Sequence, residues 1–140
     1  MQIACPHCQT QNRVEDTRLA EEPNCGACHK PLLSGAPLAV DEAQFQTLIK
    51  TLARPIIVDC WATWCGPCQS FAPAYASAAE HFAGKATFLK VDTDQQQNLS
   101  GALRIRSIPT ILVFEGGREI DRVNGAMSSG QFKAWLTQFF

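Results

Sequence analysis

Three Cys-x-x-Cys pairs in 140 residues constrain this chain more than any other feature: "CPHC" at 5–8, "CGAC" at 25–28 and "CGPC" at 65–68. The outer two are separated by 16 residues, the pattern of a tetrahedral four-thiolate metal site. Only the third pair follows an apolar run, "PIIVDCWA", and opens an amphipathic helical segment. Two kinds of chemistry are therefore expected. Cys5, Cys8, Cys25 and Cys28 read as turns closing around a cation. Zinc is the expected ion because it is redox-silent and borderline-soft, with iron the alternative in the same geometry. His7 and His29 lie beside these thiols, but four sulfurs complete the shell without them. Cys60 is the seventh thiol and reads as a buried small hydrophobe rather than a redox partner.

At 46% hydrophobic content the chain can bury one main core and carry an accessory element. The formal net charge of -1 gives no basic field, so neither nucleic acid nor an anionic membrane surface is an expected partner. The first residues show no cationic start followed by an apolar stretch, and no apolar run is long enough for a membrane span. A cytoplasmic protein is expected. In a reducing compartment seven cysteines argue for metal binding or redox catalysis over a static disulfide framework.

Periodicity divides the chain at about residue 36, predicting an N-terminal element over 1–35 and a main domain over 36–140. The first part is polar, rich in Cys, Pro, Asn and Gly, and shows no sustained pattern. Its order is expected to depend on metal–thiolate bonds, and the main domain is expected to survive without them. From Ala36 the signals are regular. "APLAV" is a short strand, and "DEAQFQTLIKTLA" puts Phe45, Leu48, Ile49 and Leu52 on one helical stripe behind an Asp41/Gln44 capping box. "PIIVDCWA" and "ATFLKVD" are strands, with a helix between them that ends before Gly84. A short helix, a hairpin turning at Gly116-Gly117, and a last helix opened by a Ser128/Gln131 box complete a mixed sheet covered on both faces.

Cys65 closes a strand and starts a helix, where free backbone N–H groups and the positive dipole end favour a thiolate. It reads as the attacking cysteine, and Cys68, one turn inward, as the resolving one. Gly66 lets the turn pass closely, and Pro67 is tolerated in a first helical turn. Asp59 lies within the apolar strand, so desolvation should raise its pKa toward neutrality and fit it for proton transfer; a solvated Asp near a strand end is the alternative. Lys90 is either a cation near that carboxylate or a snorkelling surface lysine. Trp61 is either a core packer or a contact residue.

Taken together, "VDCWATWCGPCQ", "KVDTD", "IRSIPTILVFEGG" and "VNGA" resemble the thioredoxins over roughly residues 38–140, in the order and spacing of that family. With "CPHC…CGAC" upstream, the chain is similar to the zinc-binding bacterial subclass, thioredoxin 2. The resemblance implies an α/β thioredoxin fold, a mixed central sheet flanked by helices, with a small N-terminal four-cysteine zinc-binding element. It also implies a protein-disulfide reductase working through a mixed disulfide on Cys65, with oxidised proteins as substrates and an NADPH-linked thioredoxin reductase as recharging partner. By the same resemblance Asp59 assists Cys68, Lys90 tunes Asp59, and Pro109 is a cis-proline beside the disulfide. Ile108 then pairs with an extended substrate strand, and Trp64, Gly66, Pro67, Gly125 and Ala126 complete the substrate surface.

Three positions depart from the family pattern. Cys60 stands where an aromatic is usual, Gln69 where a cation is common, and Arg104 at a helix exit often held by Gly, so the loop to Ile108 is expected to differ in shape. The contrasting functional class is a zinc-dependent binding module or redox-sensing holdase using the fold as a scaffold. Such a scaffold has no need of Cys65, Cys68, Asp59 and the Ile108-Pro109 loop together.

Overall fold

The computed structural model describes residues 1–140. Its larger sheet has five strands in the order β3-β5-β4-β6-β7, namely Leu38–Ala39, Thr87–Asp92, Ile56–Trp61, Thr110–Glu115 and Arg118–Asn124. β3, β5 and β4 run parallel, whereas β6 and β7 are antiparallel to their neighbours. Four helices accompany it: α1 (Glu42–Thr51), α2 (Gly66–His81), α3 (Gln97–Ala102) and α4 (Ser129–Leu136). Both capping boxes form, Asp41 with Gln44 on α1 and Ser128 with Gln131 on α4, each satisfying donors that a helix start leaves open. Gly116 and Gly117 both take positive φ, 62° and 80°, the backbone of the tight hairpin joining β6 to β7.

β4 is buried along its length except at Trp61, as a strand with a layer on each face must be. Its side chains alternate. Ile56, Val58 and Cys60 join the layer containing α1 and α3, while Ile57 joins Phe71, Tyr75 and Phe132 of α2 and α4. Asp59 and Trp61 share the parity of Ile57. Cys60 therefore points away from the face that carries the redox pair, because a period of two leaves it no other choice. The buried Tyr75 hydroxyl lies within hydrogen-bond distance of the Ile57 and Leu89 carbonyls, at 3.0 and 2.6 Å, and pins α2 across β4 and β5.

The N-terminal element consists of a two-stranded antiparallel ribbon, β1 (Gln2–Ala4) with β2 (Gln11–Arg13), a 3-10 helix over Asp16–Glu21, and a second turn bridged at Asn24 and Pro31. It does not keep a core of its own. Ile3, Val14, Leu19, Leu32 and Leu33 pack into one continuous apolar cluster with Phe45, Leu48, Ile49 and Leu52. Polar contacts fasten the same junction. The Arg54 guanidinium donates to the Leu33 carbonyl (2.8 Å) and the Thr87 hydroxyl (2.9 Å) and pairs with Glu22 (2.9 Å). Gly84 N donates to Ser34 Oγ at 2.9 Å.

Candidate functional site

The redox pair stands where β4 leaves the sheet and α2 begins. Cys65 is the N-cap of α2 with extended backbone (φ -85°, ψ 110°), and Cys68 N donates to its Sγ at 3.2 Å. Pro67 sits in the first turn, where its missing N–H removes nothing the helix needs. Cys65 and Cys68 are joined in a disulfide with their Cα atoms 5.2 Å apart. At 4% and 3% exposure the two residues are equally covered in this form, so accessibility does not separate them. The N–H donor at the helix start does: it faces Cys65 alone.

On β4, Asp59 is 1% exposed, and its Oδ1 has no hydrogen-bond partner. Burial raises its carboxyl to about 7, against the opposing pull of the Lys90 charge. Lys90 is the register partner of Asp59 on β5, and its Nζ lies 4.3 Å from the centre of the Trp61 ring. Trp61 packs against the cluster of Ala62, Cys65 and Cys68, so one side chain serves both as packing and as the face on which the cation rests. Thr63, Trp61, Lys90 and Asp92 line a groove of about 410 Å³ beside the site. Cys60, buried on the opposite face, is pushed up to about 12 by burial and is no ready nucleophile.

Facing Cys65 is the segment between α3 and β6. Its Ile108-Pro109 peptide bond is cis, and the Ile108 carbonyl oxygen lies 3.8 Å from Cys65 Sγ. Pro109 is buried and Ile108 half-buried. Gly125 N donates to the Pro109 carbonyl at 2.8 Å, which brings Gly125 and the exposed Ala126 to the rim of the site. Trp64 is 69% exposed and its indole N–H donates to Asp94 Oδ2 at 2.8 Å. Gly66 and Pro67 are also exposed, completing an open surface rather than a closed pocket.

The outer pairs converge elsewhere. The sulfurs of Cys5, Cys8, Cys25 and Cys28 all lie within 4.8 Å of one another, with Cys5 to Cys28 at 3.7 Å and Cys8 to Cys25 at 3.6 Å. A tetrahedron with metal–sulfur bonds of about 2.3 Å has edges of about 3.8 Å, so the donor set fits a four-thiolate zinc site. The two turns repeat one design. Cys5 N donates to Thr10 O and Cys25 N to Lys30 O, while Gln9 and His29 close each turn with φ of 68° and 65°. Backbone N–H groups of His7 and Ala27 reach Cys5 and Cys25 Sγ, both at 3.4 Å. Hydrogen bonds from the Cys28 backbone N–H and the Asn12 amide lower Cys25 below the usual thiol range. His7 turns its Nε2 to the Ser34 carbonyl at 3.0 Å.

A mixed sheet with a disulfide at the strand-to-helix junction, faced by a proline loop, defines a thiol–disulfide oxidoreductase. The chain matches the family model described as thioredoxin over residues 36–138, and the one described as thioredoxin 2, N-terminal, over residues 4–30. Thioredoxin C-3 of Corynebacterium nephridii is 38% identical over 138 residues, covering 99% of this chain and 94% of that protein. The thioredoxin of Synechocystis sp. is 35% identical over 100 residues, 71% of this chain and 94% of its own length. Among solved structures, Plasmodium falciparum thioredoxin superposes with a TM-score of 0.68 at 31% identity, covering 73% of this chain and 98% of that one. The chain belongs to the thioredoxin family and is a protein-disulfide reductase carrying a zinc-ribbon segment.

Several contacts at the site have no signature in the sequence. Asp94 holds the Trp64 indole, Gln69 donates from its side chain to the Thr63 carbonyl, and Asn12 links the Gly26 N–H to Cys25 Sγ. Each is a single polar residue in a polar stretch. Arg104, expected to reshape the loop before Ile108, instead takes the left-handed backbone itself (φ 57°), the conformation a glycine would supply there.

Proposed function

We propose that Cys65 is the nucleophile and Cys68 the resolving thiol in reduction of protein disulfides. The N–H of Cys68 directed at Cys65 Sγ from the start of α2 is the observation that carries this assignment. In the dithiol form the Cys65 thiolate attacks one sulfur of the substrate disulfide, forming the mixed disulfide and expelling the other sulfur as a thiolate. Cys68 gives its proton to Asp59 and attacks Cys65 Sγ. The enzyme disulfide forms, the second substrate thiolate leaves, and two electrons have passed to the substrate. Lys90 tunes Asp59 through its charge. Ile108 beside Pro109 offers main-chain groups to an extended substrate segment, with Trp64, Gly66, Pro67, Gly125 and Ala126 around it. Main-chain pairing is indifferent to side chains, so oxidised proteins of many sequences serve as substrates.

Residues 1–35 act as the zinc-binding element and 36–140 as the catalytic domain. Cys5, Cys8, Cys25 and Cys28 hold one zinc ion, which when bound crosslinks the two turns without redox chemistry of its own. An NADPH-linked thioredoxin reductase returns Cys65 and Cys68 to the dithiol. The cytoplasm suits the chain, because a working dithiol and four metal thiolates need a reducing compartment. No helix is long and apolar enough to cross a membrane.

The test pairs two variants. Cys65→Ser abolishes insulin reduction, and Cys68→Ser accumulates a covalent adduct with insulin through Cys65, visible by non-reducing electrophoresis. Insulin reduction by Cys65→Ser at the wild-type rate overturns the assignment and returns the chain to the binding-module class.

A further inference from the structure

The segment over residues 103–110 leaves a helix of only six residues and arrives at Cys65 carrying Ile108. Backbone N–H groups of Leu103, Arg104 and Ile105 close the end of α3 onto the Leu99, Gly101 and Ser100 carbonyls, and the Leu103 and Arg104 carbonyls beyond it point outward. Arg122 of β7 meets these two. Its Nη2 donates to the Leu103 carbonyl at 2.8 Å and its Nη1 reaches the Arg104 carbonyl at 3.4 Å. From the other side Glu119 fixes the guanidinium by a two-pronged ion pair, Nε to Oε2 and Nη2 to Oε1, each 2.6 Å. The carbonyls held this way flank the one residue of the segment in left-handed backbone, Arg104 at φ 57°. A non-glycine residue there costs on the order of 1 kcal/mol, and the conformation persists only where surrounding contacts impose it.

The far end of the segment hangs from the same strand. Thr110 Oγ1 lies within hydrogen-bond distance of the Ser107 carbonyl (2.6 Å) and the Asn124 side-chain amide (2.9 Å), and Gly125 N donates to the Pro109 carbonyl at 2.8 Å. Residues 103–110 are thus slung between Arg122 at one end of the span and Asn124 and Gly125 at the other. β7 is the edge strand of the sheet, so its positions carry no constraint from a further neighbour.

We propose that Arg122 is a positioning residue for protein-disulfide reduction: its guanidinium fork sets the height and orientation at which Ile108 meets a substrate strand beside Cys65. The inference rests on the reading above that Ile108 pairs with substrate main chain. Arg122 touches neither sulfur. Its loss leaves the Cys65 thiolate and its N–H donor in place and loosens the surface against which a polypeptide is aligned. Uniform binding of extended substrate weakens, whereas attack on a small disulfide that makes no such pairing does not.

The experiment compares Arg122→Met, Arg122→Lys and Ile108→Gly with the wild-type chain. Insulin reduction is driven by dithiothreitol, and a stopped-flow reaction of each prereduced protein with 5,5′-dithiobis(2-nitrobenzoate) reports Cys65 itself. Arg122→Met raises the KM for insulin about fivefold or more with kcat held, and leaves the small-disulfide rate constant at its wild-type value. Arg122→Lys, which keeps the charge but not the fork, falls between and decides the matter by the same readouts if the Met variant does not fold. Unchanged insulin KM in a folded variant overturns the proposal. So does a parallel fall in insulin and small-disulfide rates, which marks a general structural role. Ile108→Gly separates the two layers: if it leaves insulin KM unchanged, the reading of the Ile108 surface fails, whereas a raised KM there with none at Arg122 defeats the Arg122 proposal alone.

Discussion

Asp59 and Lys90 are register partners on adjacent parallel strands, yet the Lys90 ammonium rests over the Trp61 ring, 4.3 Å from its centre, and Asp59 Oδ1 keeps no hydrogen-bond partner. The carboxyl is therefore governed by burial, with the cation acting on it only through space. That arrangement leaves the carboxyl able to gain or lose a proton near neutral pH. A direct ion pair would hold it ionised, and full isolation would hold it protonated.

Asp59 should make the protein less stable as it ionises. Its folded value, about 7, lies above the unfolded value of 3.8, so the folded state retains the proton over the interval between them. Stability from this group is complete below about pH 4, falls as pH rises, and is lost above about pH 7. Asp59→Asn removes the penalty, raising unfolding free energy by roughly 3–5 kcal/mol at pH 8 and by little at pH 4. Denaturant unfolding at the two pH values checks this. On the proposed role of Asp59 as acceptor of the Cys68 proton, the same variant should slow resolution of the mixed disulfide.

Lys90→Gln should push the Asp59 carboxyl still higher, since the Lys90 charge is the influence that lowers it. The pH profile for resolution of the mixed disulfide then shifts to higher pH, and Trp61 emission changes as its ring loses the cation. Rapid-quench kinetics from pH 6 to 9, a span of about three units around the thiol range, follows the first effect, and fluorescence the second. An unmoved profile would mean that Lys90 acts on something other than Asp59.

Metal removal should reach beyond the metal site. Chelation releases one ion and makes Cys5, Cys8, Cys25 and Cys28 reactive. It also loosens Ile3, Leu19, Leu32 and Leu33 from the face of α1 that they share with Phe45 and Leu48. Uncovering that face costs the catalytic half roughly 2 kcal/mol, a drop in its thermal midpoint of about 10 °C, while insulin reduction at 25 °C largely persists. Calorimetry with and without chelator, alongside a turbidity assay, reads both. A midpoint that does not move shows the face to be stable uncovered.

Most of the catalytic half was legible because its signals are local. The Asp41/Gln44 and Ser128/Gln131 boxes, the Gly116-Gly117 turn and the apolar run around Asp59 each concern residues within a few positions of one another, and each stands in the structure where the pattern puts it. The grouping of seven cysteines into a four-thiol cluster, a disulfide pair and a buried Cys60 likewise follows from spacing and setting. The apolar residues of the first 35 positions were not legible as core. Ile3, Val14, Leu19, Leu32 and Leu33 come one or two to a turn, with no period to reveal a common face, and metal-ligand turns scatter them along the chain while gathering them in space.

By itself the sequence determined which main strands and helices form from residue 36 onward, which thiols group together, and that Asp59 would lie inside a strand covered on both faces, because hydrophobic period, capping and ligand spacing are properties of neighbouring residues. Tertiary structure alone decided what those elements touch. It set Lys90 over Trp61 rather than on Asp59, bound Trp64 to Asp94, clamped the N-terminal element through Arg54, and hung the Ile108 segment from Arg122, Asn124 and Gly125. Each of these joins polar groups far apart in the chain, or chooses among partners equally near. The choice belongs to the packing of whole layers, which places both ends of every such contact before a hydrogen bond can form between them.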